Sequence, residues 1–218
     1  MPKRLRPTAE IAAEAILVGD PGRALMLAQD LLEAPKMSNH ARGLWGYSGA
    51  TASGGRLTIQ STGMGGPSAS LVLGDLAELG VRRAIRIGTC SAIGEGRPGE
   101  LLVVDRARFG PERGLDAQLP DPALSAALVE ALGPAARRGA IVSLESLHHP
   151  AAEPPSVPAA AADMQTAALY SAAPRLGVAV AAVLIVAHAA EGDLDDSGLE
   201  AAAKQAGAAA KAILSPSS

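Results

Sequence analysis

Leu79-Gly80-Val81-Arg82-Arg83-Ala84-Ile85-Arg86-Ile87-Gly88-Thr89-Cys90-Ser91 is the stretch on which the fold turns. Ala84 to Gly88 is a short run suited to a buried strand, Gly88-Thr89 opens a turn, and Ser68–Leu79 before it has the apolar spacing of a helix. A guanidinium inside such a strand is costly unless it is paired. Arg86 is therefore either one half of a structural ion pair with a buried acid or part of an anion site, for which the planar fork of donors suits it. Position within the strand leaves both readings open.

Outward from this stretch the same alternation repeats. Strands are expected near Ala15–Gly19, Arg56–Ser61, Ala84–Gly88, Glu100–Asp105, Gly139–Val142 and Val178–Val186. Helices are expected over Arg23–Leu32, Ser68–Leu79, Pro122–Leu132, Ala161–Leu176 and Leu199–Ile213. Apolar runs alternating with helical stretches predict an α/β fold, with helices on both faces of a mostly parallel sheet. Arg42–Ala50 reads as extended and pairs with Arg56–Ser61 across the turn at Ala52–Gly55. Trp45 and Tyr47, two residues apart, are expected on one face of that arm.

Composition narrows the function classes. With 218 residues and 48% hydrophobic side chains, a single domain over residues 1–218 is expected. The formal net charge is −3, which gives no electrostatic argument for nucleic acid or an anionic membrane as partner. The longest apolar run, Val178 to Ala187, falls well short of the roughly 20 residues that span a bilayer. The single cysteine, Cys90, cannot form an internal disulfide, and Met1–Glu10 has no secretory apolar stretch, so the expected compartment is the cytoplasm. Aromatic residues make up only 2% of the chain, so the core must be built from small aliphatic side chains.

Three glycine-bearing turns each follow an expected strand: Gly19-Asp20-Pro21-Gly22-Arg23, Gly63-Met64-Gly65-Gly66-Pro67-Ser68 and Gly88-Thr89-Cys90-Ser91. In α/β sheets ligands gather beyond the carboxyl ends of strands, where glycine lets backbone N–H groups approach an anion. Three such turns could surround one oxyanion. Any one alone is weak, since Asp-Pro-Gly is an ordinary turn sequence. Arg23 at a helix start opposes the helix dipole, an objection that a bound anion removes.

Five ordered stretches, Ile16–Ala24, Asn39–Gly49, Ser61–Ser70, Leu79–Ile93 and Gly99–Val104, resemble the hexameric purine nucleoside and uridine phosphorylase family. The resemblance runs almost continuously from residue 15 to 105 and continues more weakly beyond. It implies a phosphorylase-like domain with a mixed central sheet flanked by helices. It also implies that Gly19, Arg23, Arg86 and Thr89 contact phosphate, and that Arg42 reaches the site of a neighbouring subunit. Met64 and Met164 would line the sugar. The implied assembly is a homo-oligomer built from dimers, as far as a hexamer, with Trp45 and Tyr47 at or near a dimer interface. Inorganic phosphate is the co-substrate, with no cofactor.

The second half departs from the family pattern. Where the family has Glu-Met-Glu, whose second glutamate grips the ribose hydroxyls, this chain has Asp163-Met164-Gln165. Gln165 is expected at the sugar without the carboxylate charge, and Asp163 with His148 beside the base. His188 stands nearest the position of the group that protonates the base in purine-type members, and its ordinary pKa suits proton donation. Read alone, His188 caps a strand end, Asp163 is an acid at a helix start and Gln165 a solvated residue. Glu145, His148 and His149 could suggest a metal, but no further ligands accompany them. The family's N-terminal histidine for the sugar 5′-hydroxyl has no equivalent; Lys3 or Arg4 lies nearest. Cys90 is expected to be small buried packing rather than a reactive thiolate.

The expected activity is phosphate-dependent cleavage of a nucleoside, giving free base and ribose 1-phosphate, with Arg86 and His188 as the catalytic pair and a lean to purine over uridine. The alternative is a catalytically weak phosphate- or nucleotide-binding homologue.

Overall fold

The computed structural model describes residues 4–110, 116–146 and 158–216. Its strands are β1 (Glu14–Val18), β2 (Glu33–Asn39), β3 (Gly46–Ala50), β4 (Arg56–Ser61), β5 (Arg83–Ala92), β6 (Leu101–Phe109), β7 (Ala136–Ser143), β8 (Ala161–Asp163), β9 (Ala179–Ala189) and β10 (Gly192–Asp193). The helices are α1 (Pro21–Leu31), α2 (Gly65–Glu78), α3 (Pro122–Leu132), α4 (Thr166–Leu176) and α5 (Asp196–Leu214). Three helix starts are set by aspartates: Asp20, Asp121 and Asp195 accept from the N–H of Arg23, Leu124 and Gly198 at 2.7, 2.9 and 2.7 Å. In α1 and α3 a proline follows the cap, where its missing N–H costs nothing.

The strands form one mixed sheet in the order β10-β9-β6-β7-β8-β5-β1-β4-β3-β2. β5 runs parallel to β1 on one edge and to β9 on the other, and its last residues pair antiparallel with β8. The β5–β9 pairing closes β5, β9, β6, β7 and β8 into a ring. The pleat sorts side chains to two faces. Ala15, Leu17, Ala84, Ala182 and Leu184 pack with α2 and α4, whereas Ile16, Val18, Ile85, Ile87, Val183 and Ile185 pack with α1, α3 and α5. Arg86 alternates with Ile85 and Ile87 and so faces the α2 and α4 side.

Small residues let the layers approach closely. A Cβ on Gly66 of α2 would come within 2.9 Å of Ala168 in α4, and one on Gly207 of α5 within 2.8 Å of Leu27 in α1. The end of α5 is fastened to the β3–β4 hairpin: Ser215 Oγ lies 2.8 Å from Thr51 Oγ1, and Ser53 Oγ donates to the Ser215 carbonyl at 3.0 Å.

The α/β class and both-face helices agree with the sequence reading, but several elements differ. Ala161–Asp163 is the strand β8, so the expected helix starts five residues later, at Thr166. β2 is not among the expected strands; its largely exposed Glu-Ala-Pro-Lys start carries no strand pattern. The arm expected over Arg42–Ala50 is a strand only from Gly46, after a 3-10 turn at Ala41–Gly43. Trp45 therefore precedes the strand and is 37% exposed, while Tyr47 is buried. The β3–β4 pairing is as expected. No helix among the described residues is long and apolar enough to cross a membrane.

Candidate active site

The first two glycine turns converge, whereas Gly88-Thr89-Cys90-Ser91, expected as a third turn, lies within strand β5, whose ladder with β9 carries it on to Ala92. Thr62, after β4, donates from its backbone N–H to the Val18 carbonyl at 2.7 Å and from its hydroxyl at 3.0 Å, tying the second turn to the first. A Cβ on Gly19 would lie 3.5 Å from the Gly63 carbonyl oxygen and 3.9 Å from Gln165 Oε1, so the first turn, the second turn and the start of α4 meet there. Gly63 and Gly65 take φ of +70° and +80°, a backbone region open to glycine, which explains the residue choice in Gly-Met-Gly-Gly.

At the centre lies Arg86, 4% exposed. Its Nη2 donates to Asp163 Oδ2 at 3.1 Å, its Nη1 to Gln165 Oε1 at 2.6 Å and its Nε to Thr166 Oγ1 at 3.1 Å. The structural ion pair is thus realised: side chains 5% and 0% exposed, held at 3.1 Å. The anion-site reading is not displaced by it, because these bonds use three of the five guanidinium N–H groups. Asp163 also accepts from Ser143 Oγ at 2.5 Å and from the Thr166 hydroxyl and N–H at 2.6 and 3.0 Å. Its oxygens are occupied inside the protein, and the expected contact with a base finds none free. The reading that Asp163 is an acid at a helix start describes it better.

Gln165, 3% exposed, is not a solvated residue. Its Oε1 accepts from Arg86 and from Thr62 Oγ1 at 3.1 Å, and its Nε2 donates to the carbonyls of Gly63 at 2.6 Å and Gly65 at 3.3 Å. The amide bridges β5, the second glycine turn and α4. Ser143 and Thr166 escaped the sequence reading; the Asp163-x-x-Thr166 spacing of a helix start was the one available signal.

Arg23 is half-buried on the first turn of α1, and no hydrogen bond or salt bridge of its side chain occurs among the described residues. Burial lowers its pKa below the ordinary value, nearby Asp20 opposes that, and the Arg86 charge adds to it. Thr89, on β5, is half-buried. Arg42 is exposed in the 3-10 turn with φ of +60°, an uncommon state for a non-glycine residue. Met64 is 87% exposed and Met164 half-buried at the start of α4.

His188 sits at the end of β9, in register with Ser91 of β5. Its Nδ1 lies 2.8 Å from Asp193 Oδ1 on β10, and both side chains are largely exposed. Asp193 was not singled out from sequence, although Gly192 before it marks a tight turn back. His148, His149 and Lys3 lie outside the described residues. Arg4 is held at Asp75, whose carboxylate accepts from its N–H at 2.5 Å and lies 3.4 Å from its Nη1. Cys90 is buried, and burial pushes its thiol up to about 12. It packs rather than reacts, as the sequence reading expected.

The fold is a mixed α/β sheet with glycine turns after β1 and β4 and a buried arginine on β5. The chain belongs to the phosphorylase superfamily, the family of purine nucleoside and uridine phosphorylases, whose model matches residues 14–216. It is similar to the purine nucleoside phosphorylase DeoD-type of Oceanobacillus iheyensis, 47% identical over 85 residues, which are 38% of this chain and 36% of the relative. It is likewise similar to the protein of that name from Geobacillus kaustophilus, 45% identical over 87 residues, 39% of this chain and 36% of the relative. The aligned stretch spans little more than a third of these curated relatives.

Proposed function

We propose that this chain cleaves the N-glycosidic bond of a nucleoside with inorganic phosphate, releasing the free base and a pentose 1-phosphate. The observation that carries this reading is the Arg23 guanidinium, half-buried without a hydrogen-bond partner for its side chain among the described residues and close enough to Arg86 to feel its charge. A dianion between the two removes the repulsion and takes charge-assisted hydrogen bonds from both. On this reading the Gly19 turn and Thr89, three residues beyond Arg86 on β5, supply further phosphate contacts, and Arg42 completes the site of a neighbouring copy in a dimer-based homo-oligomer. Phosphate is the co-substrate, no further cofactor is needed, and the setting is the cytoplasm.

Phosphate oxygen attacks the sugar C1′ as the C1′–N bond breaks, the bonding electron pair leaving with the base. The sugar becomes oxocarbenium-like, and the adjacent anion stabilises that charge electrostatically while the arginines hold it in line. His188 delivers the proton that the departing base nitrogen takes up, with Asp193 on Nδ1 orienting the ring so that Nε2 is the donor. Met64, Met164 and Gln165 border the sugar. The relatives' names favour a purine base.

A second reading, a phosphate- or nucleotide-binding homologue with weak catalysis, draws on the internal bonding of Asp163 and Gln165. A panel of inosine, guanosine, adenosine, uridine and methylthioadenosine, incubated with and without phosphate and followed by chromatography for free base, separates the two. Base release that requires phosphate is expected. Release without phosphate would mean hydrolysis instead, and a phosphate-dependent rise in melting temperature with no turnover would favour the binding protein.

A further inference from the structure

Gln165 has no hydrogen-bonding capacity left. A side-chain amide offers two acceptor lone pairs and two N–H groups. Arg86 Nη1 and Thr62 Oγ1 take up the first two, and the carbonyls of Gly63 and Gly65 the others. The amide cannot be turned the other way, because Arg86 can only donate and the two carbonyls can only accept. Asp163 offers no substitute, since its carboxylate is occupied by Arg86, Ser143 and Thr166.

On the reading above, which places Gln165 at the sugar, we propose that the site selects 2′-deoxypentosyl substrates over ribosyl ones, with Gln165 as the specificity-determining residue. A 2′-hydroxyl brought against this amide finds a partner only by breaking one of its four bonds. A 2′-deoxy sugar presents C–H at that position, so one hydroxyl fewer, with only the 3′-hydroxyl remaining, competes with those bonds. The chemistry of the bond points the same way. Without the electron-withdrawing 2′-oxygen the oxocarbenium ion forms more readily, so a neutral amide where a carboxylate would have added charge is less of a handicap. A pocket that merely fails to welcome an added hydroxyl discriminates by about 10-fold to 100-fold, far less than one built to bind it.

The test compares kcat/KM with phosphate for inosine against 2′-deoxyinosine and uridine against 2′-deoxyuridine. The deoxy member of each pair is expected to be favoured by about 10-fold or more. In Gln165→Glu the carboxylate retains acceptor sites beyond those used by Arg86 and Thr62, and the ratio is expected to move toward the ribosyl substrate. Calorimetric binding of 2-deoxyribose 1-phosphate and ribose 1-phosphate to the wild-type chain reads the same subsite without turnover. Phosphorolysis with equal or ribosyl-favouring ratios overturns the sugar preference while leaving the phosphorylase reading intact. An inactive chain that still binds the deoxy sugar phosphate more tightly overturns phosphorolysis and keeps the preference. Binding of neither sugar phosphate overturns both.

Discussion

A Cβ placed on Gly88 would stand 2.5 Å from Nη2 of Arg86, so the guanidinium lies over the backbone of its own strand two residues on. No other residue type fits there without moving the arginine. The same Cβ would meet Leu184 Cδ2 at 2.8 Å. Gly88→Ala is therefore expected to cost about 1–3 kcal/mol in urea denaturation, as overpacking does, and to abolish the stabilisation given by phosphate. A variant that keeps the full phosphate-induced melting shift would show that Arg86 is not needed in this pose.

The two arginines, one buried and one half-buried, should respond oppositely to truncation. Arg86→Ala leaves the Asp163 carboxylate in the core without its cation, and breaking such a pair typically costs about 3–5 kcal/mol. Arg23→Ala strands no partner and removes a like-charge neighbour, so its stability is expected to hold or rise slightly. Phosphate affinity in Arg23→Ala should nevertheless fall by roughly 10-fold to 100-fold, the equivalent of one charged hydrogen bond. Thermal melts with and without phosphate measure both quantities on each variant.

These two arginines also mark what could be read from sequence and what could not. A charged residue in an apolar strand is conspicuous, so Arg86 and the need for something to neutralise it were legible, as were the glycine turns after β1 and β4 and the alternation that makes the fold α/β; the turn expected at Gly88 is absent because Gly88 to Ser91 stay in the ladder with β9. What neutralises Arg86 was not. Asp163, Ser143 and Thr166 come from β8, β7 and α4, and their convergence depends on the ring closed through β5, which no local pattern encodes. The start of α4 was misplaced for a related reason: Ala161-Ala162-Asp163 has helix-forming residues, yet pairing with β5 and β7 makes it a strand. Gln165 was recognised by position, but its burial and four bonds reverse the expectation of a solvated amide.

Cys90 gives a prediction that needs no substrate. A thiol pushed up to about 12 by burial stays protonated at pH 8, and the thiolate is the reactive form. Iodoacetamide at pH 8 is expected to leave the native chain unmodified and to label it fully in guanidinium chloride, as intact mass will report. Rapid labelling of the native chain would place the sulfur at an accessible surface.

His188→Ala is expected to lower kcat by about 100-fold or more, the usual contribution of a positioned proton donor, while the melting shift induced by phosphate stays as in the wild type. Asp193→Ala should give a smaller loss with the ring still present but no longer held at Nδ1. Steady-state kinetics on the favoured nucleoside, paired with phosphate melts, checks both. An unchanged kcat in His188→Ala would return the residue to a strand-end cap.

Among the described residues the ten strands fall into two runs that are continuous both along the chain and across the sheet, β2-β3-β4-β1-β5 and β8-β7-β6-β9-β10, meeting at β5. Arg86 belongs to the first run and all three groups that hold it to the second, while α5 crosses back to lie on α1 and to fasten Ser215 to the β3–β4 hairpin. A gene divided between β5 and β6 would accordingly yield two fragments, each with a hydrogen-bonded half-sheet and each carrying only part of the anion site. Their recombination would rebuild that site, making phosphate binding a reporter of fragment complementation.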